Sequence, residues 1–347
     1  MIYNAHLKKG KVNKMKRFFN NLIQKIERPS PNIIDLVKND KFELVEPLIN
    51  NIDYNLNYKY PEHENMTALS YLICIRQYTL AIKILETGRC DINIQNDNGM
   101  TALMHAVYDD YGENDELIKK LINDPCCDFN LKSRHGFTAL MILMMQNHSS
   151  DKCENIIKQI ISSGRCNLDI LSHGKHFKGY NVLMIVLQNN LYPSIANLLI
   201  ESKCDINIIS EDESTAFSIA VLTNNVDMVK KLINNKCNIY LKNCLGQSVL
   251  ELAVDRLSVT MKKRNKMCDD DLIKFSYNYT INCAIKIVRM IINKYITDGN
   301  EKLLDRMTIN ISDDSKCIVT DFLLTNKIIN RLHIDTENPV GTIVDYV

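Results

Sequence analysis

Tryptophan is absent from the 347 residues, and glycine (11) and proline (7) are scarce. So few Gly and Pro exclude a collagen-like or Gly/Pro-rich low-complexity chain. No charge of one sign dominates: Lys+Arg 42 against Asp+Glu 41 leaves a formal net charge of +1. A protein that grips nucleic acid over its whole surface usually carries a basic excess, which is missing here. Long apolar runs are missing too. The longest, Ala139–Met145 and Val182–Leu187, fall far short of the roughly 20 residues of a membrane-spanning helix. The N-terminus is basic but lacks the apolar stretch of a signal peptide. Cysteine is the exception to this scarcity, with 12 copies. They are spread along a long chain, unlike the dense framework of a small secreted domain. The expectation is a soluble intracellular protein with reduced thiols. No nucleophile–base–acid arrangement, phosphate loop or dinucleotide fingerprint is visible. The sequence therefore predicts no enzyme, no catalytic residue and no cofactor.

What the sequence does contain is a repeat. Thr67-Ala68-Leu69, Thr101-Ala102-Leu103, Thr138-Ala139-Leu140, Asn181-Val182-Leu183, Thr215-Ala216-Phe217 and Ser248-Val249-Leu250 follow one another at intervals of 34, 37, 43, 34 and 33. A second mark keeps pace: Cys90-Asp91-Ile92-Asn93, Cys127-Asp128-Phe129-Asn130, Cys166-Asn167-Leu168-Asp169, Cys204-Asp205-Ile206-Asn207 and Cys237-Asn238-Ile239-Tyr240. In four of the five the cysteine stands 11 residues before the next Thr or Ser slot; Cys166 stands 15 before Asn181. Inside each unit the apolar spacing is helical twice over. Leu103, Ala106 and Val107 form a first face, and Leu117, Ile118, Leu121 and Ile122 a second. Thr or Ser at the slot is a natural helix N-cap. Gly99, Gly136, Gly179 and Gly246, two residues earlier, suit a turn with positive φ. Each unit reads as turn, helix, short loop, helix, extended return.

Gly99-Met100-Thr101-Ala102-Leu103, followed by a paired-aliphatic helix and a small residue before Asp-x-Asn, resembles the ankyrin repeat. The Cys-Asp-Ile-Asn style with its Asn and Ile bias resembles the ankyrin-repeat proteins of giant DNA viruses. The resemblance implies an all-α ankyrin-repeat solenoid of about seven helix-turn-helix repeats with short β-hairpin loops, flanked by helical N- and C-terminal segments. Repeats are expected near 30–57, 65–93, 99–130, 136–169, 179–207, 213–240 and 246–300. The first opens on Ser30-Pro31 as cap and first helical residue. The last carries an insertion near 260–280, where a basic run and Asp269-Asp270-Asp271 suggest a solvated loop. Asp298-Gly299-Asn300 is read as its Asp-x-Asn. Residues 1–29 form a basic amphipathic segment, read as a cap on the first repeat or as an arm for an anionic membrane or nucleic acid. Residues 301–347 are read as a helical cap or tail.

The cysteines of the second mark occupy a slot where the family uses Ala, so they are expected in the core. Cys153, Cys166, His173 and His176 make the best metal candidate, but the spacing matches no zinc module. His173, Lys175, His176 and Lys178 fit an enlarged, solvated hairpin better, and no metal site is expected. Protein partners of unknown identity are expected, with no small-molecule substrate. By resemblance they would meet the concave face of the first helices: Tyr71, His105, Tyr108, Ile142, Met145, Ile185, Ile219 and Leu222. These stand four or seven residues after the slot, together with Cys74. The hairpin tips Asp97, Arg134, His135, His173, His176, Glu211 and Asp212 would add to that surface. The expected role is a non-enzymatic protein-interaction scaffold, a viral protein acting on host or viral proteins.

Overall fold

A computed structural model describes residues 31–108, 114–145, 151–190, 192–266 and 271–300. The chain divides into two units, residues 1–167 and 168–347. In the first, helices come in pairs: α1 (Ile33–Lys38) with α2 (Val45–Asn50), and α3 (Ala68–Cys74) with α4 (Tyr78–Glu86). Then come α5 (Ala102–Tyr108) with α6 (Asp115–Asn123), and α7 (Ala139–Met145) with α8 (Asp151–Ser162). First helices stack on first helices and second on second, α3 on α5 and α4 on α6, for instance. The second unit repeats the scheme. It holds α9 (Val182–Asn189) with α10 (Pro193–Glu201), α11 (Ala216–Leu222) with α12 (Val226–Asn234), and α13 (Val249–Lys266) with α14 (Asp271–Thr297). Six- to nine-residue helices are too short to persist alone in water, so packing must hold them. The residues that supply it are the paired aliphatics: Leu117, Ile118 and Leu121 of α6 are completely buried, as are Val229 and Leu232 of α12.

The slot residue caps every clean first helix. Thr67, Thr101, Thr138 and Thr215 accept through Oγ1 from the amides of Ser70 (3.2 Å), Met104 (3.2 Å), Met141 (3.3 Å) and Ser218 (3.1 Å). Asn181 does the same for Met184 at 3.0 Å, and Ser248 for Glu251 at 3.2 Å. Each bond satisfies an amide that the helix itself leaves without a partner. At the start of the array the cap is Asn32, whose Oδ1 accepts from Ile34 N at 2.9 Å, and α1 begins at Ile33. The expected Ser30-Pro31 start is thus moved by two residues, because Asn32 offers the side-chain acceptor next to the apolar run; Ser30 lies outside the described residues.

The Asp-x-Asn mark acts as a ladder. Asn57 Oδ1 accepts from Asp91 N (2.7 Å), Asn93 Oδ1 from Asp128 N (2.9 Å) and Asn130 Oδ1 from Asn167 N (2.6 Å). Their Nδ2 groups donate onward to the carbonyls of Arg89 (3.3 Å), Cys126 (2.7 Å) and Arg165 (3.1 Å). In the second unit Asp169 accepts from Asp205 N at 2.7 Å and Asn207 from Asn238 N at 2.7 Å. The first residue of the mark folds the turn that presents the third: Asp91, Asp128 and Asp205 accept from Asn93, Asn130 and Asn207 N at 2.8–2.9 Å. Such Asx turns are the local preference of Asp and Asn. Arg89 and Arg165 add a clamp in the first unit. Arg165 donates to the carbonyls of Ile122 (2.5 Å), Asp124 (2.9 Å) and Pro125 (3.3 Å), and its guanidinium lies 4.5 Å from the Phe129 ring centroid. Arg89 makes the matching set with Ile49, Asn51, Ile52 and Tyr54. A cation on the last carbonyls of the preceding helix complements the negative end of its dipole.

Three sequence expectations change. The hairpins contain no strand among the described residues, only isolated bridges Tyr60–Met66 and Lys242–Ser248. Four are single tight turns, as where Ser133 N donates to Phe137 O (2.9 Å) and Gly136 N to Ser133 O (2.8 Å), and those at 60–66 and 172–180 are longer. Second, the residues near 260–280 that are described are helical. The insertion lengthens both helices of its repeat, α13 to 18 and α14 to 27 residues, and the two pack on each other. The expectation of a loop fails because Val249 to Thr260 keeps a helical apolar face, burying Ala253, Val254, Leu257 and Thr260. Asp269 and Asp270 lie outside the described residues. Third, Asp298-Gly299-Asn300 is the end of α14. Gly299 takes φ +71, and Asn300 N bonds Tyr295 O as Cys204 and Cys237 N bond Leu199 and Leu232 O. Asn300 therefore stands in the cysteine slot, three residues before the place of the Asn in the Asp-x-Asn mark.

Of the slot cysteines, Cys127, Cys204 and Cys237 are buried, and Cys90 and Cys166 half-buried. Burial pushes the thiols of Cys90, Cys127 and Cys166 up to about 11 and Cys237 up to about 12, and raises Cys204 as well. Raised and covered thiols react slowly, since the thiolate is the nucleophile. Native alkylation mapped by peptide mass spectrometry is expected to spare Cys127, Cys204 and Cys237 until the protein unfolds; rapid native labelling of these three would refute their placement in the core. For the ladder, Asn130→Ala is expected to lower stability by about 2 kcal/mol, the loss of two inter-repeat bonds. Asn130→Asp, which keeps the acceptor as Asp169 does, should lose about half that, and equal melting of all three proteins would show the rung to be idle. Thr101→Ala is expected to cost about 1 kcal/mol in denaturant unfolding, whereas an unchanged midpoint would contradict the cap.

Candidate functional site

The first-helix face is built by two rows of side chains. Four residues after the slot stand Tyr71, His105, Ile142, Ile185 and Ile219, and seven after it Tyr108, Met145 and Leu222, with Cys74 and Gln188. The structure separates the rows. Ile142, Ile185 and Ile219 are 7%, 0% and 1% exposed, so they belong to the core and offer a partner no surface. The reason is the stacking of first helix on first helix, which turns this row toward its neighbour. Tyr71 and His105 of the same row are half-buried. In the other row Tyr108 is 67% exposed, Cys74 and Gln188 are exposed, and Met145 and Leu222 half-buried. The accessible part of the candidate face is thus Tyr71, His105, Tyr108 and Met145 in the first unit and Leu222 in the second.

His105 shows how the rows interlock. Its Nδ1 lies 3.2 Å from Cys74 Sγ of the preceding repeat. Burial pushes its imidazole down to about 4, so it is neutral at neutral pH. Among the described residues Nε2, itself buried, finds no hydrogen-bond partner. Tyr71 leans on His63, ring centroids 5.3 Å apart. In α5 Ala102, Leu103, Met104, Ala106 and Val107 are all buried, and Tyr108 alone of its apolar side chains stands out from the surface.

The hairpin tips Asp97, Arg134, His135, His173, His176, Glu211 and Asp212 are all exposed. Several also tie neighbouring fingers together. Asp97 N donates to Glu64 O (2.8 Å), Asp97 Oδ1 accepts from Asn65 Nδ2 (2.7 Å), and Arg134 N donates to Asn98 O (2.7 Å). Fingers approach so closely that a Cβ on Gly99, whose φ is +70, would come 2.9 Å from Arg134 N. A Cβ on Gly179 (φ +76) would come 2.7 Å from Glu211 N, which donates to Lys178 O at 3.2 Å. Lys178 and Glu211 also pair at 2.5 Å. Partial burial pushes the Asp212 carboxyl up, but hydrogen bonds from Ser210 and Ser214 outweigh it and hold the group below its usual value. The longer finger with His173 and His176 closes on Phe177, whose ring meets Tyr180 edge-on at 5.7 Å. Among the described residues no three His, Cys, Asp or Glu side chains converge to hold a metal ion, and no helix is long and apolar enough to cross a membrane.

Sequence reasoning had no signal for the Arg clamps, since Gly-Arg-Cys reads as turn chemistry. It also missed the interlock of Cys74 with His105, which needs the spacing between stacked helices.

Residues 109–210 and 183–261 match the family described as ankyrin repeats (3 copies). No curated protein matches. Many solved structures match this chain. One is a chain of the complex of the Bd0816 predatory endopeptidase from Bdellovibrio bacteriovorus with immunity protein Bd3460, 25% identical, covering 54% of this chain and 91% of that one (TM-score 0.44). Others are the ankyrin repeat domain of Bcl-3 (19%, 59% and 88%, 0.45) and the ankyrin repeat protein EF0377 (20%, 59% and 97%, 0.48). The family match covers the middle of the chain, residues 109–261, and capped helix pairs of the same kind precede it from Ile33, so the described residues are all-α and similar to ankyrin repeats.

Proposed function

We propose that the chain is a non-enzymatic scaffold that binds protein partners through the accessible first-helix row and the finger tips. Ankyrin repeats are in general protein-interaction modules. The observation that carries the reading is Tyr108, a large aromatic 67% exposed on a helix that buries all its other apolar side chains. Aromatic side chains anchor protein interfaces, because a rigid ring offers area at small entropic cost. Exposed Arg134 and His135, in the same unit as Tyr108, would supply a polar rim around such an anchor. The Asn- and Ile-rich Cys-Asp-Ile-Asn style supports a viral protein that acts on host or viral proteins inside the cell.

Proximity labelling of the tagged protein in its native cell would name the partner, and a binding assay with that partner would follow. Tyr108→Asp is expected to weaken binding at least about tenfold with helicity and melting unchanged. Ile185→Asp, which buries a charge in the core, is expected to unfold its unit. Full binding by Tyr108→Asp would overturn the assignment. Loss of binding only on deleting residues 1–29 would move the contact to the basic segment, which lies outside the described residues.

A further inference from the structure

We infer that Cys74, hydrogen-bonded to His105, is a covalent modification site for small electrophiles and peroxides. The inference stands apart from partner binding and rests on the pair itself. Cys74 closes α3 and is exposed. His105 sits one repeat later, in α5, with Nδ1 3.2 Å from the sulfur. Two tautomers of the neutral ring are open, and the surroundings choose between them. With the proton on Nε2, a buried N–H would be left without an acceptor. With the proton on Nδ1, the atom left alone is a lone pair, and the N–H is used on Sγ. Among the described residues Nε2 finds no partner, so the second arrangement leaves the less costly orphan. Cys74 Sγ is therefore the acceptor of the bond.

A hydrogen bond donated to sulfur favours the thiolate over the thiol. The ring itself does not take the thiol proton, because burial disfavours its charged form. The thiol proton leaves to solvent, and the N–H of His105 steadies the charge left behind. With a peroxide, the sulfur attacks one oxygen, an S–O bond forms and the O–O bond breaks. The sulfur is oxidised to a sulfenic acid, the peroxide is reduced, and the departing hydroxide takes up a proton to give water. With an alkyl halide, a C–S bond forms and halide leaves. Cys127 and Cys237 differ in both respects that matter, being buried and having raised thiols. Cys126 and Cys244 are exposed as well and serve as comparisons within the same molecule.

The test uses the full chain under native conditions. Iodoacetamide is added in excess, and labelling at each cysteine is timed by peptide mass spectrometry. Cys74 is expected to label about tenfold faster than Cys126 and Cys244, and hydrogen peroxide with dimedone should leave its adduct first at Cys74. His105→Leu removes the donor and should bring Cys74 down to the rate of the other two. His105→Asn keeps an N–H near the position of Nδ1 and should retain most of the difference, which a merely structural role for His105 would not predict. Circular dichroism checks that both variants fold. Should neither fold, the wild type in urea decides: the advantage of Cys74 must vanish on unfolding. Equal rates at the three exposed thiols of the native wild type, an unchanged rate in a folded Leu variant, or an advantage that persists in urea would each overturn the inference.

Discussion

In four of the repeats a single carboxamide joins the repeat to the next. Asn57, Asn93 and Asn130 each hold the backbone of the following repeat from both sides, accepting from an amide and donating to a carbonyl. Burial of the paired aliphatics supplies most of the stabilisation, but a hydrophobic face is non-directional and would tolerate a sliding neighbour. The rungs are directional and fix the register in which faces meet. The contacts between neighbouring fingers follow from that register, since each finger meets the next only when the repeats are aligned. Where Asp169 replaces Asn, the acceptor survives and the donor is lost, so that rung holds its neighbour from one side.

Much of this was legible in the chain. The slot residues are caps because Thr, Asn and Ser cap helices locally, whatever the fold. Gly99, Gly136, Gly179 and Gly246 all take positive φ, as their place before the slot suggests. Asn65 and Glu213 adopt the same conformation without being glycine (φ 55 and 58), where the family pattern is weaker. What was not legible depended on distance in space. Ile185 and Ile219 fit a groove by count from the slot, yet their burial is decided by how near the neighbouring first helix lies. The Arg89 and Arg165 clamps reach carbonyls 35–43 residues back, a span that no local motif announces.

The candidate face was read in part. Its half-buried and exposed members were named from spacing, but the spacing alone made it more apolar than it is. Position four is a packing position where Ile142, Ile185 and Ile219 fill it. Tyr71, His105 and Leu252 keep part of their surface outside. An Ile-rich chain puts aliphatics at this place in three successive repeats, which enlarges the core and leaves a smaller, more aromatic surface. The insertion is similar in kind. Its charge pattern suggested a loop, while its apolar spacing, continuous from Val249, made two long helices.

The ladder also sets the order in which this protein can be assembled on the ribosome. Every rung joins residues 31–37 apart, so a repeat has its docking partner as soon as about one further repeat has emerged. At roughly 5–20 residues per second of synthesis, an uncovered repeat face waits only a few seconds for its neighbour. The long α13–α14 pair is the exception. Ser248, its cap, and Tyr295, buried near its far end, lie 47 residues apart in the chain. That repeat must wait longest before its own second helix can close over the first, and it is the stage of synthesis at which a nascent chain of this sequence has most need of a chaperone.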